Sequence, residues 1–81
     1  MKIRIAFFAA ARDITGCDWL DLEVDDESSV DSVRGLLGQQ YPEIVPIMET
    51  CTWAVDHEYV DISQILHDGA EIGLIPPVSG G

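Results

Sequence analysis

Apolar and polar residues alternate over residues 2–9: Ile3, Ile5 and Phe7 fall on one face, Lys2, Arg4 and Ala6 on the other. A period of two marks a strand with one buried face. Phe8 breaks the alternation and leaves both faces apolar at the strand's end. Either both are covered within the domain, or one aromatic lies against a partner. Ala9-Ala10-Ala11-Arg12-Asp13-Ile14-Thr15 holds helix formers enough for a single turn, with Gly16 as its stop. Residues 19–24 alternate again, Leu20, Leu22 and Val24 inward against Asp21 and Glu23, which predicts an antiparallel partner for the first strand.

The period then changes. Over residues 28–41, Val30, Val33, Leu37 and Tyr41 project within roughly 80° at 100° per residue, the stripe of an amphipathic helix. Ser28 with Asp31 reads as a capping box, and Pro42 closes the helix. Gly35 and Gly38 each cost about 1 kcal/mol against alanine, so this helix depends on tertiary packing. Residues 43–49, interrupted by Pro46, predict a short helical turn. Cys51, Trp53 and Val55 alternate as a strand, and a tight connection at Asp56-His57-Glu58 leads to a short return strand at Tyr59 and Val60. Ile62, Ile65 and Leu66 anchor a crossover, and Asp68-Gly69 turns into a last, uniformly apolar strand. One long helix must cover one face of a single sheet. The fold class is α+β in two layers, with the last strand inside the sheet.

Composition narrows the partners. Eighty-one residues make one domain, and 47% hydrophobic with 23% charged residues is the balance of a folded chain. Fifteen acidic against four basic residues give a net charge of −11. Such a surface repels phosphate backbones and anionic lipid, so nucleic acid is a poor partner and a basic protein surface a good one. The longest apolar run, residues 5–11, lies between Arg4 and Arg12, far short of the roughly 20 residues of a membrane span. No signal peptide is read there, and the expected compartment is the cytoplasm. Cys17 and Cys51 have neither zinc nor redox-pair spacing and are expected as reduced thiols. His57 and His67 each adjoin an acid, Glu58 and Asp68. Sequence neighbours point apart, so both read as surface histidines, and no metal site is expected.

The end of the chain is the distinctive stretch. After Ile72, Leu74 and Ile75, Pro76 and Pro77 cannot continue a central strand and hold an extended neck. Beyond Pro76, the remaining residues to Gly81 reach at most roughly 17 Å. Gly80 and Gly81 carry no Cβ, so the tip can thread a narrow channel and bring an unhindered carboxylate into another protein's active site.

Phe7-Phe8-Ala9 followed by Arg12, the central helix, Asp68-Gly69-Ala70-Glu71-Ile72 and the ending Ile75-Pro76-Pro77-Val78-Ser79-Gly80-Gly81 together resemble the molybdopterin synthase small-subunit family. Its relatives include the thiamine-pathway sulfur carrier and, more distantly, ubiquitin. The resemblance spans the chain, and the Pro-Pro-Val-Ser-Gly-Gly ending is its most specific part. It implies a ubiquitin-like β-grasp, a mixed sheet of about five strands on one main helix, with the first and last strands parallel and central. The domain would span residues 1–75 and the tail residues 76–81.

The resemblance also implies a sulfur carrier. An ATP-dependent, ubiquitin-activating-like enzyme adenylates the Gly81 carboxylate, and sulfur converts it to a thiocarboxylate. The large subunit's pocket then receives Val78, Ser79 and Gly80, and sulfur passes to cyclic pyranopterin monophosphate on the way to molybdopterin. Family members form a heterotetramer with two large subunits at its centre. This chain would bind no cofactor and act only within the complex, ATP being used by the activating enzyme. Asp56 stands where many members have asparagine, and Ala70 where aspartate is common. Phe7, Leu74 and Ile75, with Pro76 and Pro77, read as an apolar docking patch beside the neck, or the first three simply as core. The same fold would also suit a thiamine-type carrier or a protein modifier joined to target lysines.

Overall fold

The computed structural model describes residues 1–77. Strand β1 (Lys2–Ala6) and strand β2 (Trp19–Glu23) pair antiparallel, with Ile3 opposite Leu22 and Ala6 opposite Trp19. Between them, helix α1 (Ala9–Thr15) makes two turns where one was expected, and it ends at Gly16 with φ 74°. Helix α2 (Val30–Gln40) crosses the sheet. A 3₁₀ turn (Pro42–Ile44) and helix α3 (Val45–Thr50) follow, more helix than the predicted single turn. Strands β3 (Thr52–Val55) and β4 (Glu58–Tyr59) form a hairpin, and β5 (Glu71–Ile75) closes the domain.

The strand order is β2-β1-β5-β3-β4. Strand β5 lies parallel to β1 and antiparallel to β3, so the last strand is inside the sheet, as its apolar content requires. This is the ubiquitin-like β-grasp, a mixed five-stranded sheet with helices on one face. Val30, Val33 and Leu37 of α2 meet Ile3, Ile5, Phe7, Trp53, Ile72 and Leu74 in one core. The ring of Tyr41 stands edge-on to Phe7, centroids 6.3 Å apart, a favourable aromatic geometry.

The helix start differs from the sequence expectation. Ser29, not Ser28, is the N-cap of α2, its Oγ accepting from the Ser32 amide at 3.2 Å. Ser28 Oγ instead donates to the Asp25 carbonyl at 2.7 Å. The first two helical amides, of Val30 and Asp31, donate to the carbonyls of Gln64 and Ile62. The crossover is thereby stitched to the N-terminus of α2, satisfying donors a helix start leaves open. The two helix glycines are not equivalent. A Cβ at Gly38 would lie 3.3 Å from Val45 Cγ2, whereas one at Gly35 would meet nothing within 4 Å. Gly38 lets α3 approach α2 closely.

Candidate functional site

The site is built where β1 and β5 end side by side. Phe7 and Phe8 part company there: Phe7 is 2% exposed beneath the sheet, whereas Phe8 is 44% exposed on the other face. The chain leaves the strand through Ala9 at φ 49°, a left-handed conformation that costs an alanine about 1–2 kcal/mol. Of the two alternatives left open for the aromatics, the structure takes the one in which a ring remains uncovered. Leu74 is also 2% exposed. Phe7 and Leu74 are therefore core residues and not part of a docking patch, because strand alternation turns both toward α2. Ile75 is half-buried, and Pro76 and Pro77 are exposed. The neck runs along a shallow groove of about 180 Å³ between α1 and α3, lined by Phe8, Ala11, Ile47, Cys51 and both prolines.

The face that α2 leaves open carries the larger apolar surface. Trp19 is 48% and Tyr59 73% exposed. With Phe8, Ile75, Gly73, Ala6 and Ala54 they line a trough of about 250 Å³. Gly73 sets its depth: a Cβ there would sit 3.2 Å from Ile75 Cδ1 and 3.7 Å from Phe8 Cε2. A cluster of exposed aromatics beside the emerging chain end marks an interaction surface. Sequence reasoning missed Trp19, Tyr59 and Gly73. The signal for Trp19 was its phase, since it shares the outward face of its strand with Asp21 and Glu23.

The trough has a charged border. Arg4 Nε donates to Asp21 Oδ1 at 2.9 Å, which holds the guanidinium still more firmly protonated than usual. At the start of β5, Asp56 joins the β3–β4 turn to the preceding loop. Its Oδ1 accepts from the Glu71 amide at 3.1 Å, and His67 Nε2 donates to its Oδ2. Asp56 and His57 have φ of 51° and 71°, as a two-residue hairpin turn requires, and aspartate tolerates that region. His67 Nδ1 lies 2.8 Å from the Asp68 carbonyl, so both ring nitrogens face oxygen acceptors and the protonated ring satisfies both. The hydrogen bond from His67 holds the Asp56 carboxyl below its ordinary pKa, and the same bond raises that of His67. His67 thus pairs with an acid eleven positions away and not through the side chain of its neighbour Asp68. Ala70, where aspartate is common in the family this chain resembles, is fully buried.

No other chemistry competes among the described residues. Burial pushes the Cys51 thiol up, away from the reactive thiolate, and its Sγ donates to the Met48 carbonyl. Among the described residues, no group of three or more His, Cys, Asp or Glu side chains is placed to hold a metal ion. No helix among the described residues is long and apolar enough to cross a membrane. Val78, Ser79, Gly80 and Gly81, expected from the sequence to carry the tail chemistry, lie outside the described residues.

Known proteins resemble this chain over its full length. The molybdopterin synthase sulfur carrier subunit of Chlamydomonas reinhardtii is 31% identical over 83 residues, covering 100% of both chains. A chain of the complex of subunits 1 and 2 of the molybdopterin-converting factor from Helicobacter pylori aligns at a TM-score of 0.75 and 24% identity, covering 100% of both chains. Small archaeal modifier protein 1 from Methanosarcina acetivorans aligns at a TM-score of 0.85 and 22% identity, covering 99% of this chain and 96% of the other. The ThiS family model matches residues 5–81. With all but the first four residues inside that match, and a full-length sulfur carrier relative above 30% identity, the chain belongs to the ThiS family.

Proposed function

We propose that the chain is the sulfur carrier subunit of molybdopterin synthase, with the Gly81 carboxylate as its reacting group. The observation that carries this reading is the position of the exposed apolar patch. Phe8, Trp19, Tyr59 and Ile75 surround the point where the central strand β5 runs into the Pro76–Pro77 neck. A domain built this way offers a partner a surface and, from its edge, a chain end. Full-length similarity to named sulfur carrier subunits and the Helicobacter pylori complex of two subunits support the same reading.

A carboxylate is a poor electrophile: its charge repels nucleophiles, and oxide leaves badly. Adenylation by an ATP-dependent activating enzyme attaches AMP as a leaving group and releases pyrophosphate. A sulfur donor then displaces AMP and leaves a thiocarboxylate, a nucleophile at neutral pH. The tail from Val78 to Gly80 carries that sulfur into the large subunit's pocket, where it is transferred to cyclic pyranopterin monophosphate. Proton transfer and charge stabilisation come from the partners. The working assembly is a heterotetramer of two small and two large subunits. Its compartment is the cytoplasm, where Cys17 and Cys51 stay reduced.

Intact mass spectrometry of the protein isolated from cells is the direct test. Replacement of one oxygen by sulfur at the C-terminus is expected. The similarity to small archaeal modifier proteins raises one rival, a modifier joined to lysines of targets, and isopeptide conjugates in place of the sulfur species would overturn the proposal. Deleting Gly81 is expected to abolish sulfur transfer while circular dichroism and binding to the large subunit persist. Retained transfer would remove Gly81 from its role.

A further inference from the structure

Five positions in register cross all five strands on the open face: Trp19, Ala6, Gly73, Ala54 and Tyr59. Small residues fill the middle three places, and aromatics stand on the two edge strands. At about 4.8 Å per step, the Cα atoms of the two aromatics are roughly 19 Å apart. The face is thus a saddle with a low floor and two raised ends, wider than a patch confined to Phe8 and Ile75.

The Trp19 end is fixed in a way the Tyr59 end is not. The Arg4 guanidinium carbon lies 5.5 Å from the centre of the Trp19 ring, within cation–π range. Arg4 is in turn held by Asp21, its cross-strand partner, at 2.9 Å. An exposed ion pair of this kind adds little to folding stability. It does restrict a large side chain that the core does not hold. Restricting an aromatic before binding removes ordering entropy from the association step, and Trp, Tyr and Arg are the residues on which binding energy concentrates.

We infer that Trp19, positioned by Arg4 and Asp21, is a specificity-determining anchor that extends the tail-side docking face to the β2 edge. This rests on the sulfur-carrier reading, and the occupant is the large subunit. Two observations select it. First, the trough is continuous with Ile75 and the neck, so the protein that receives the tail also covers this face. Second, the rim is anionic. Both arginines nearby are already paired, Arg4 with Asp21 and Arg12 with Asp18, while Glu71, which lines the trough, has no ion-pair partner among the described residues. The matching surface has an apolar projection flanked by lysine or arginine.

The test is titration calorimetry of the full chain against the large subunit of the same organism. Trp19→Ala is expected to weaken binding at least about tenfold with an unchanged melting temperature. Trp19→Phe should recover most of the affinity. Arg4→Gln should cost about three- to fivefold, and Arg4→Lys, which keeps a cation over the ring, less. With 5-fluorotryptophan incorporated, the fluorine resonance of Trp19 should shift on complex formation, and that of the buried Trp53 should not. Binding of Trp19→Ala within twofold of the parent, while Ile75→Asp loses it, overturns the anchor and leaves the sulfur-carrier reading standing. A parent chain that fails to bind the large subunit overturns both.

Discussion

On the covered face of the sheet, Ile3, Ile5, Phe7, Trp53, Val55, Ile72 and Leu74 interlock beneath α2, and all are buried. On the open face the sheet presents Arg4, Phe8, Trp19 and Tyr59 to solvent over a floor of Ala6, Gly73 and Ala54. The covered face uses branched and aromatic side chains to fill space. The open face uses small residues to leave space, with aromatics standing around it. Because β1 and β5 contribute to both, neighbouring residues such as Phe7 and Phe8 serve opposite purposes. Stability belongs to one side and recognition to the other.

The largest test of that division is the pair Phe7→Ala and Phe8→Ala. The first should cost about 3–5 kcal/mol, a large part of the roughly 4–12 kcal/mol expected for a domain of this length. The second should change stability by no more than about 0.5 kcal/mol while weakening binding to the large subunit. Chemical denaturation and calorimetry read the two effects, and equal stability losses would break the comparison.

Docking alone is probed next at β5. Ile75→Asp should weaken association more than about tenfold, because complex formation would bury an unpaired charge. Gly73→Val should separate the two properties further. Valine is favoured over glycine in strands by up to about 1 kcal/mol, and the atom that crowds a Cβ at position 73 is the flexible end of Ile75, Cδ1 at 3.2 Å, with Phe8 Cε2 at ordinary contact distance. Stability should hold or rise while docking falls about fivefold as the floor lifts. Docking unaffected by Gly73→Val would mean that the partner does not enter the trough.

Salt gives a smaller effect. With a net charge of −11, association should slow severalfold between low and physiological ionic strength, because the steering field is screened over about 8 Å. A salt-independent on-rate in stopped flow would confine the acidic surface to solubility.

The smallest effect concerns the Asp56–His67 pair at the border of the open face. His67 has a raised pKa in the folded state, so its contribution is complete below about pH 6.5 and is lost as pH rises through the higher folded value. Asp56 has a lowered pKa, so its contribution is present above about pH 3.9 and is lost as pH falls through the folded value. Between those limits both groups are charged. Thermal melts should show a slight fall in stability as pH rises beyond about 6.5 that His67→Gln removes. The same slope in the variant would place its origin elsewhere.

Much of the architecture was legible because hydrophobic period is a local property. The alternation in β1 and β2, the helical stripe of Val30, Val33 and Leu37 and the apolar run of β5 each declare their own faces. The family-specific ending was legible as well, since a Pro-Pro neck stiffens the chain and a Gly-Gly tip frees it, both through covalent geometry alone. The patch was legible only in part. Phe8 announced itself by breaking the alternation, but the sequence left open whether both aromatics were covered or one lay against a partner.

What tertiary structure decided is which residues become neighbours across the sheet. Ser29 displaced Ser28 as the cap of α2 because the crossover supplies carbonyls to the first helical amides. His67 found Asp56, eleven positions away, because the β3–β4 turn abuts the loop before β5. Trp19, Ala6, Gly73, Ala54 and Tyr59 form one row only once β5 is inserted between β1 and β3. Periodicity fixes the face on which each side chain lies. Strand order and register fix what lies beside it, and both are set by long-range pairing that no local window of sequence contains.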